Sequence, residues 1–395
     1  MSWASTGLAV LGGIGVFAAL RLNERSLLGW GCAYQLLAGG LYITTLHRSS
    51  DGVALASGWS GLFAVGLIGI SLLAAARAAM RQREDAGETV DRPFSGLLVW
   101  ILVGGLAFVN MAPLFVMPWR FAAMVWPLAG LATLWWAIRS RQPAALAFAL
   151  GLQLLAGAVS LDSRLNLLDG NVSLVDVAAF MHAGFWSPLL LAVVAFLVAR
   201  MLQRRTAEPS AVMLGWLALI WSGFWWAFAW GGECDRLLSP ENTVFALLGL
   251  TVVTAALWRT IARRLDWLEL GQATLAYLPL LTVLLAMQSL AGSEHPLAGW
   301  GALAWPLALL MHVLLLRDQA DWLQPVVHKG VHVAGAWLFL VVASVEVHWH
   351  LAAWGGADSA WSALAWALVP LAYLWAMSSE RLSGKWPLDE FHAAY

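Results

Sequence analysis

"VHVAGAWLFLVVASVEVHWH", residues 331–350, decides the fold. From Val333 to Val345 it carries no charge, and about 20 apolar residues suffice for one helical crossing of a bilayer. Its last turn then gathers Glu346, His348 and His350. Counted from Val331 at about 1.5 Å per residue, Glu346 lies some 22 Å along such a helix, near the far edge of the hydrocarbon. On a helix Glu346 and His350 are one turn apart and can touch, whereas His348 faces elsewhere. The pair can bind a cation, relay protons or hold a polar headgroup. The plainer reading, preferred from sequence alone, is a cap where the helix meets water beside Trp349 and Trp354. A metal site needs three or four ligands, and this stretch supplies two, so no metal and no cofactor is expected.

The rest of the chain repeats this pattern. Hydrophobic residues make up 61% of the 395 and charged residues 11%. A soluble domain carries roughly 25% charged residues, so a water-soluble core is excluded. The net charge of -1 offers nothing to nucleic acid. Apolar runs predict about thirteen helical spans: 3–20, 27–46, 53–76, 94–116, 119–138, 144–161, 178–199, 211–230, 242–260, 272–290, 298–316, 331–350 and 359–378. Lipid offers no partner for an unpaired backbone group, so the spans must be helices, and nothing alternates like barrel strands. The expected fold is all-α and polytopic, a single transmembrane domain over 1–395 with its longest cytoplasmic linker at 77–93. The 26 Trp suit interfacial belts. Cys32 and Cys234 give neither a disulfide framework nor a metal spacing. Met1-Ser2-Trp3 lacks the basic start of a cleavable signal.

Charge sets the expected orientation. Of 22 Lys and Arg, all but Arg48, Arg120, Arg164 and Arg236 fall in one set of connections. By the positive-inside rule that side is cytoplasmic, with the N-terminus outside and the C-terminus inside. Arg77, Arg139, Arg200, Arg259, Arg317 and Arg381 recur every 58 to 64 residues, two spans per repeat, which reads as a helical hairpin duplicated in one orientation. Pro127, Pro188, Pro306 and Pro370 keep step with them and are expected near the outer starts of inward helices, where a missing N–H costs least.

Three stretches resemble a known family: "ERSLLGWGCAYQLLAGGLYI" (24–43), "WLALIWSGFWWAFAWGGECDRLL" (216–238), and "HVAGAWLFLVVASVEVHWHLAAWGGADSAWSALAWALVPLAYLW" (332–375) with "KWPLDEFHAAY" (385–395). The family is the bacterial multi-spanning membrane proteins catalogued as domain of unknown function 2339. The chain resembles its C-terminal part, and the resemblance places Glu233 and Glu346 on recurrent helix-end glutamates. It implies a bacterial inner (cytoplasmic) membrane location and no activity. The family's first helix here often carries a glutamate, where this chain reads "GLAVLGGIGVF".

Other polar groups compete for a role. "GGECDRLLSPEN" (231–242) is expected as an outer loop whose Glu233 and Asp235 can serve as base or metal ligands on a lipid-linked donor, with Arg236 or Arg164 beside them; a solvated loop is the plainer reading. Asp162, Arg164, Asp169 and Asp176 cap helices or line a vestibule, and Asn171-Val172-Ser173 matches a sequon by chance composition. His328 and His332 read as a helix start. Gln35, Asn110, Gln153, His182, Gln288 and His312 fall deep in spans, where hydrogen bonds between helices are the ordinary explanation, at around 0.6 kcal/mol each. No phosphate loop, nucleophile elbow or dinucleotide fingerprint is present. The reading that emerges is a non-enzymatic membrane protein that binds or moves an amphipathic envelope substrate, with Glu233, Asp235, Glu346 and His350 as substrate contacts. A membrane-embedded transferase and a scaffold are the alternatives. The partners expected are membrane lipids and a lipid-linked or amphipathic small molecule, and the oligomeric state stays open.

Overall fold

The computed structural model describes residues 3–22, 24–47, 54–55, 58–85, 96–165, 178–205, 209–291, 295–356, 360–379, 386–387 and 391. Among them the regular structure is helical: α1 (Trp3–Leu22), α2 (Arg25–Ile43), α3 (Gly58–Asp85), α4 (Leu97–Met111), α5 (Trp119–Ser140), α6 (Pro143–Leu165), α7 (Ala183–Arg205), α8 (Pro209–Leu237), α9 (Pro240–Arg264), α10 (Leu268–Ala273), α11 (Tyr277–Leu290), α12 (Gly301–Trp322), α13 (Pro325–Gly355) and α14 (Ala360–Met377). Each of the thirteen expected spans falls on a helix, α10 and α11 together making one. Eleven are long and apolar enough to cross a membrane by length and composition. The other two, α2 and α5, have 19 and 22 residues. Trp30, Tyr34 and Gln35 dilute the apolarity of α2, and the side chains of residues 120 and 123 in α5 lie outside the described set. The chain is a polytopic α-helical membrane protein. Its exposed Phe17, Phe63, Trp100, Ile220, Leu310 and Trp375 are what a lipid-facing surface requires.

Prolines mark several helix starts, though not those expected. Pro143, Pro209, Pro240 and Pro325 are the first residues of α6, α8, α9 and α13, where the ring costs no hydrogen bond. Pro127, Pro188, Pro306 and Pro370 lie inside α5, α7, α12 and α14 instead. Membrane helices tolerate such prolines, and Gln153 of α6 ties itself to α5 by donating to the Pro127 carbonyl at 3.0 Å. The expected linker 77–93 is also partly helix, since α3 continues to Asp85; its remainder lies outside the described residues.

The chain divides into two compact units, Met1–Ala229 and Trp230–Tyr395. In the first, α1 packs on α2, α3 on α4 and α5 on α6, the hairpins the repeat predicts, with α7 against α5 and α6. Deep polar side chains tie these helices together. Gln35 donates to the Ala9 carbonyl at 2.9 Å. Trp126 donates to the Asn110 carbonyl at 2.8 Å, while the Asn110 amide bonds back within its own helix to Leu106. Ser160 meets Ser187 at 2.7 Å, and Ser222 donates to Ala192 at 2.8 Å. His182 is buried but sits in the turn before α7 and not within a span.

In the second unit α9 packs both on the α10–α11 span that follows it and on α12, while α13 packs on α14, out of step with the pairing of the first unit. The chain between α10 and α11 passes through a 3-10 turn, Thr274–Ala276. Buried tethers cross between these helices: Tyr277 to the Ala308 carbonyl, Gln319 to Thr274, and Gln272 to the Trp322 carbonyl. Near the end of α12, buried Asp318 is paired with Arg259 and with Arg263 at 3.2 Å.

Candidate functional site

The site is built on α13. This helix runs 31 residues, past the length that spans hydrocarbon, so its last turns carry polar side chains without breaking. Glu346 and His350 lie on one face, with His350 Nε2 at 3.1 Å from Glu346 Oε1. His348 points away, as its position in the helical turn requires, and its Nδ1 donates to the Ser362 carbonyl of α14 at 2.8 Å. The expected contact between Glu346 and His350 is therefore present.

A third group, missed from sequence, completes the cluster. His295, in the connection after α11, places Nδ1 2.8 Å from Glu346 Oε1 and 2.9 Å from Oε2. The Leu297 backbone N–H donates to Oε2 at 3.0 Å. Ligand atoms of His295, Glu346 and His350 all lie within 4.8 Å of one another. The Trp349 indole stacks on the His295 ring at 4.1 Å. Behind the connection, the Gln288 amide donates to the carbonyls of His295 and Pro296, both at 3.1 Å, and its own oxygen accepts from Trp305 at 2.8 Å. Gln288 thus serves as a strut that fixes the His295 backbone, which explains a buried amide near the end of an apolar helix. A Cβ on Gly301 would collide with the Pro296 carbonyl, so the start of α12 must be glycine for the connection to fold back this closely. His350 remains 62% exposed, leaving one side of the cluster open.

Glu233 and Asp235 do not form the outer loop expected of them. Residues 231–237 continue α8, and only Leu238 and Ser239 separate it from α9. Glu233 is buried and accepts from Arg236 Nη2 at 2.6 Å and Nε at 3.2 Å, one turn along its own helix; such a pair satisfies a helix end without any ligand. Asp235 is exposed, so the two carboxylates do not converge. Asp162 is buried in α6, while the Arg164 side chain, Asp169, Asp176 and the sequon lie outside the described residues.

His328 and His332 are no plain helix start either. Both are buried, with their Nε2 atoms 3.2 Å apart and His328 Nε2 2.8 Å from the Leu316 carbonyl. Phe391 stacks on His332 at 4.1 Å and Trp386 lies 5.9 Å away, with Arg317 over the Trp386 ring. Trp386 and Phe391, from the tail singled out by the resemblance, therefore pack against this histidine pair. His312 Nε2 is buried against Gly335 and has no hydrogen-bond partner among the described residues.

Residues 209–395 match the family described as "Predicted membrane protein (DUF2339)". The C-terminal part of the chain is similar to that family. The DUF2339 match contains the whole of the second unit and so His295, Glu346 and His350, together with two of the three stretches that resemble the family; the stretch 24–43 lies outside it. No curated protein and no solved structure matches the chain.

Proposed function

We propose that this membrane protein binds the polar end of an amphipathic envelope molecule at the His295–Glu346–His350 cluster. The observation that carries the proposal is the convergence of two imidazoles and a backbone N–H on one carboxylate at the end of a membrane-length helix, with His350 open to solvent. Exposed indoles flank it: Trp300 on the same connection and Trp354 one turn beyond His350. Donors, an acceptor and aromatic faces beside an apolar slab suit a hydroxyl-bearing headgroup whose chains stay in lipid. A transferase reading draws less support, because Glu233 is held by Arg236 and Asp235 lies apart from it.

Native mass spectrometry of the detergent-purified protein tests this. The wild type is expected to carry a headgroup lipid or lipid-linked sugar that Glu346→Gln loses and Glu233→Gln keeps. Bulk phospholipid alone in all three would leave the cluster as a tertiary clasp in a scaffold, and the proposal would fall.

The same proposal sets the cluster on the outer face of the bacterial inner membrane, with the C-terminus in the cytoplasm. His295 and Glu346 lie on segments that the arginine pattern independently assigns to one side, and their contact agrees with that assignment. A green fluorescent protein fused at the C-terminus is expected to fluoresce. Alkaline phosphatase fused within the 291–298 connection is expected to be active. The reverse pattern would overturn the orientation.

A further inference from the structure

We infer that His295, Glu346 and His350 form a site for one divalent transition metal of the zinc type. This deepens the proposed function and rests on the cluster being a ligand site and not only a clasp. The donors are two imidazole nitrogens, His295 Nδ1 and His350 Nε2, and the Glu346 carboxylate. Imidazole and carboxylate together suit zinc and its neighbours, whereas magnesium and calcium take all-oxygen sets. A tetrahedral metal with bonds of about 2.0–2.2 Å holds its ligand atoms roughly 3.4 Å apart. The donors lie within 4.8 Å of one another, and His295 and His350 stand 2.8 and 3.1 Å from the Glu346 carboxylate. Admitting an ion therefore needs those pairs to part by a few tenths of an ångström. His350 can supply that movement, being largely exposed.

The surroundings are those of a supported ligand set. The Leu297 N–H orients the carboxylate, Trp349 stacks on the His295 imidazole, and Gln288 pins the backbone on which His295 sits. Such outer contacts fix ligand rotamers and typically change metal affinity by about 10–100-fold when removed. Three protein ligands leave a coordination position free, on the side where His350 is exposed. An anionic headgroup oxygen, such as a phosphate, would occupy it. The ion would then supply the positive charge that an apolar helix end otherwise lacks.

The test is Co²⁺ titration of the full-length, chelator-stripped protein in detergent, read by ligand-field absorption and by displacement with Zn²⁺. Wild type is expected to bind one equivalent. His350→Ala, which alters an exposed side chain, and Glu346→Gln are each expected to weaken binding by more than about tenfold, while His348→Ala does not. No saturable Co²⁺ binding in the wild type, or equal affinity in all four proteins, overturns the inference. A headgroup adduct that survives chelation, with no metal bound, sinks the metal and spares the proposed function. Metal bound without any headgroup adduct does the reverse.

Discussion

Arg259→Ala lowers the unfolding free energy of the micelle-embedded protein by about 3 kcal/mol, the low end of what breaking a buried ion pair costs. Asp318 is buried near the end of α12, and its carboxylate meets Arg259 through Nε and Nη2. Its other partner, Arg263, is 55% exposed and approaches to 3.2 Å. Removing Arg259 strands a buried carboxylate on a largely solvated guanidinium, which screens it incompletely. Asp318→Asn costs less, about 1–2 kcal/mol, because Arg259 is partly exposed and can turn to water. Arg263→Ala stays within about 1 kcal/mol, as exposed pairs do. Denaturant unfolding in mixed micelles measures all three. If Arg263→Ala matches Arg259→Ala, the pair is a surface contact and the argument for a buried tether between α9 and α12 fails.

That tether shows where the sequence stops speaking. Among the described residues each expected span falls on a helix, with α10 and α11 merged into one, because lipid forces each apolar run of about 20 residues into a helix. The same reading treats Arg259 and Arg317 as topological markers and passes over Asp318, whose neighbours in "LRDQADW" look like a helix leaving the membrane. Helix ends fail for a related reason. The run "GGECDRL" interrupts hydrophobicity without interrupting the helix, since Glu233 and Arg236 satisfy each other one turn apart, so a polar stretch alone does not mark a loop. Glu346 with His350 was legible because both lie on one helix with a fixed period. His295 was not, because no local periodicity joins positions 51 residues apart. A usable hint is present: a glutamine near the end of α11, then a histidine and proline on the same expected side of the membrane as Glu346. The His328–His332 pair reads from sequence as a helix start, and its cover, Trp386 and Phe391, lies in a stretch that only the family resemblance brings forward.

Gly31→Ala costs about 2–4 kcal/mol, whereas Gly29→Ala two residues earlier is neutral or stabilises by up to about 1 kcal/mol. Both glycines lie in α2, and alanine is the better helix former at either. The difference is the neighbour. A Cβ on Gly31 would stand 2.7 Å from the Val16 backbone nitrogen and 3.0 Å from the Gly15 carbonyl carbon, while one on Gly29 meets nothing within 4 Å. Backbone atoms cannot rotate aside, so α1 and α2 must part. Their parting also pulls Gln35, one turn along α2, from the Ala9 carbonyl, leaving a buried amide without its acceptor. Helices in lipid gain nothing from hiding apolar surface from one another, so close backbone approach through small residues is what holds such a pair. Unfolding of the two variants in mixed micelles should therefore show a loss for Gly31→Ala and none for Gly29→Ala. Equal effects would mean that α1 and α2 are held by their large side chains, and that Gly12, Gly15 and Gly31 are incidental to the crossing.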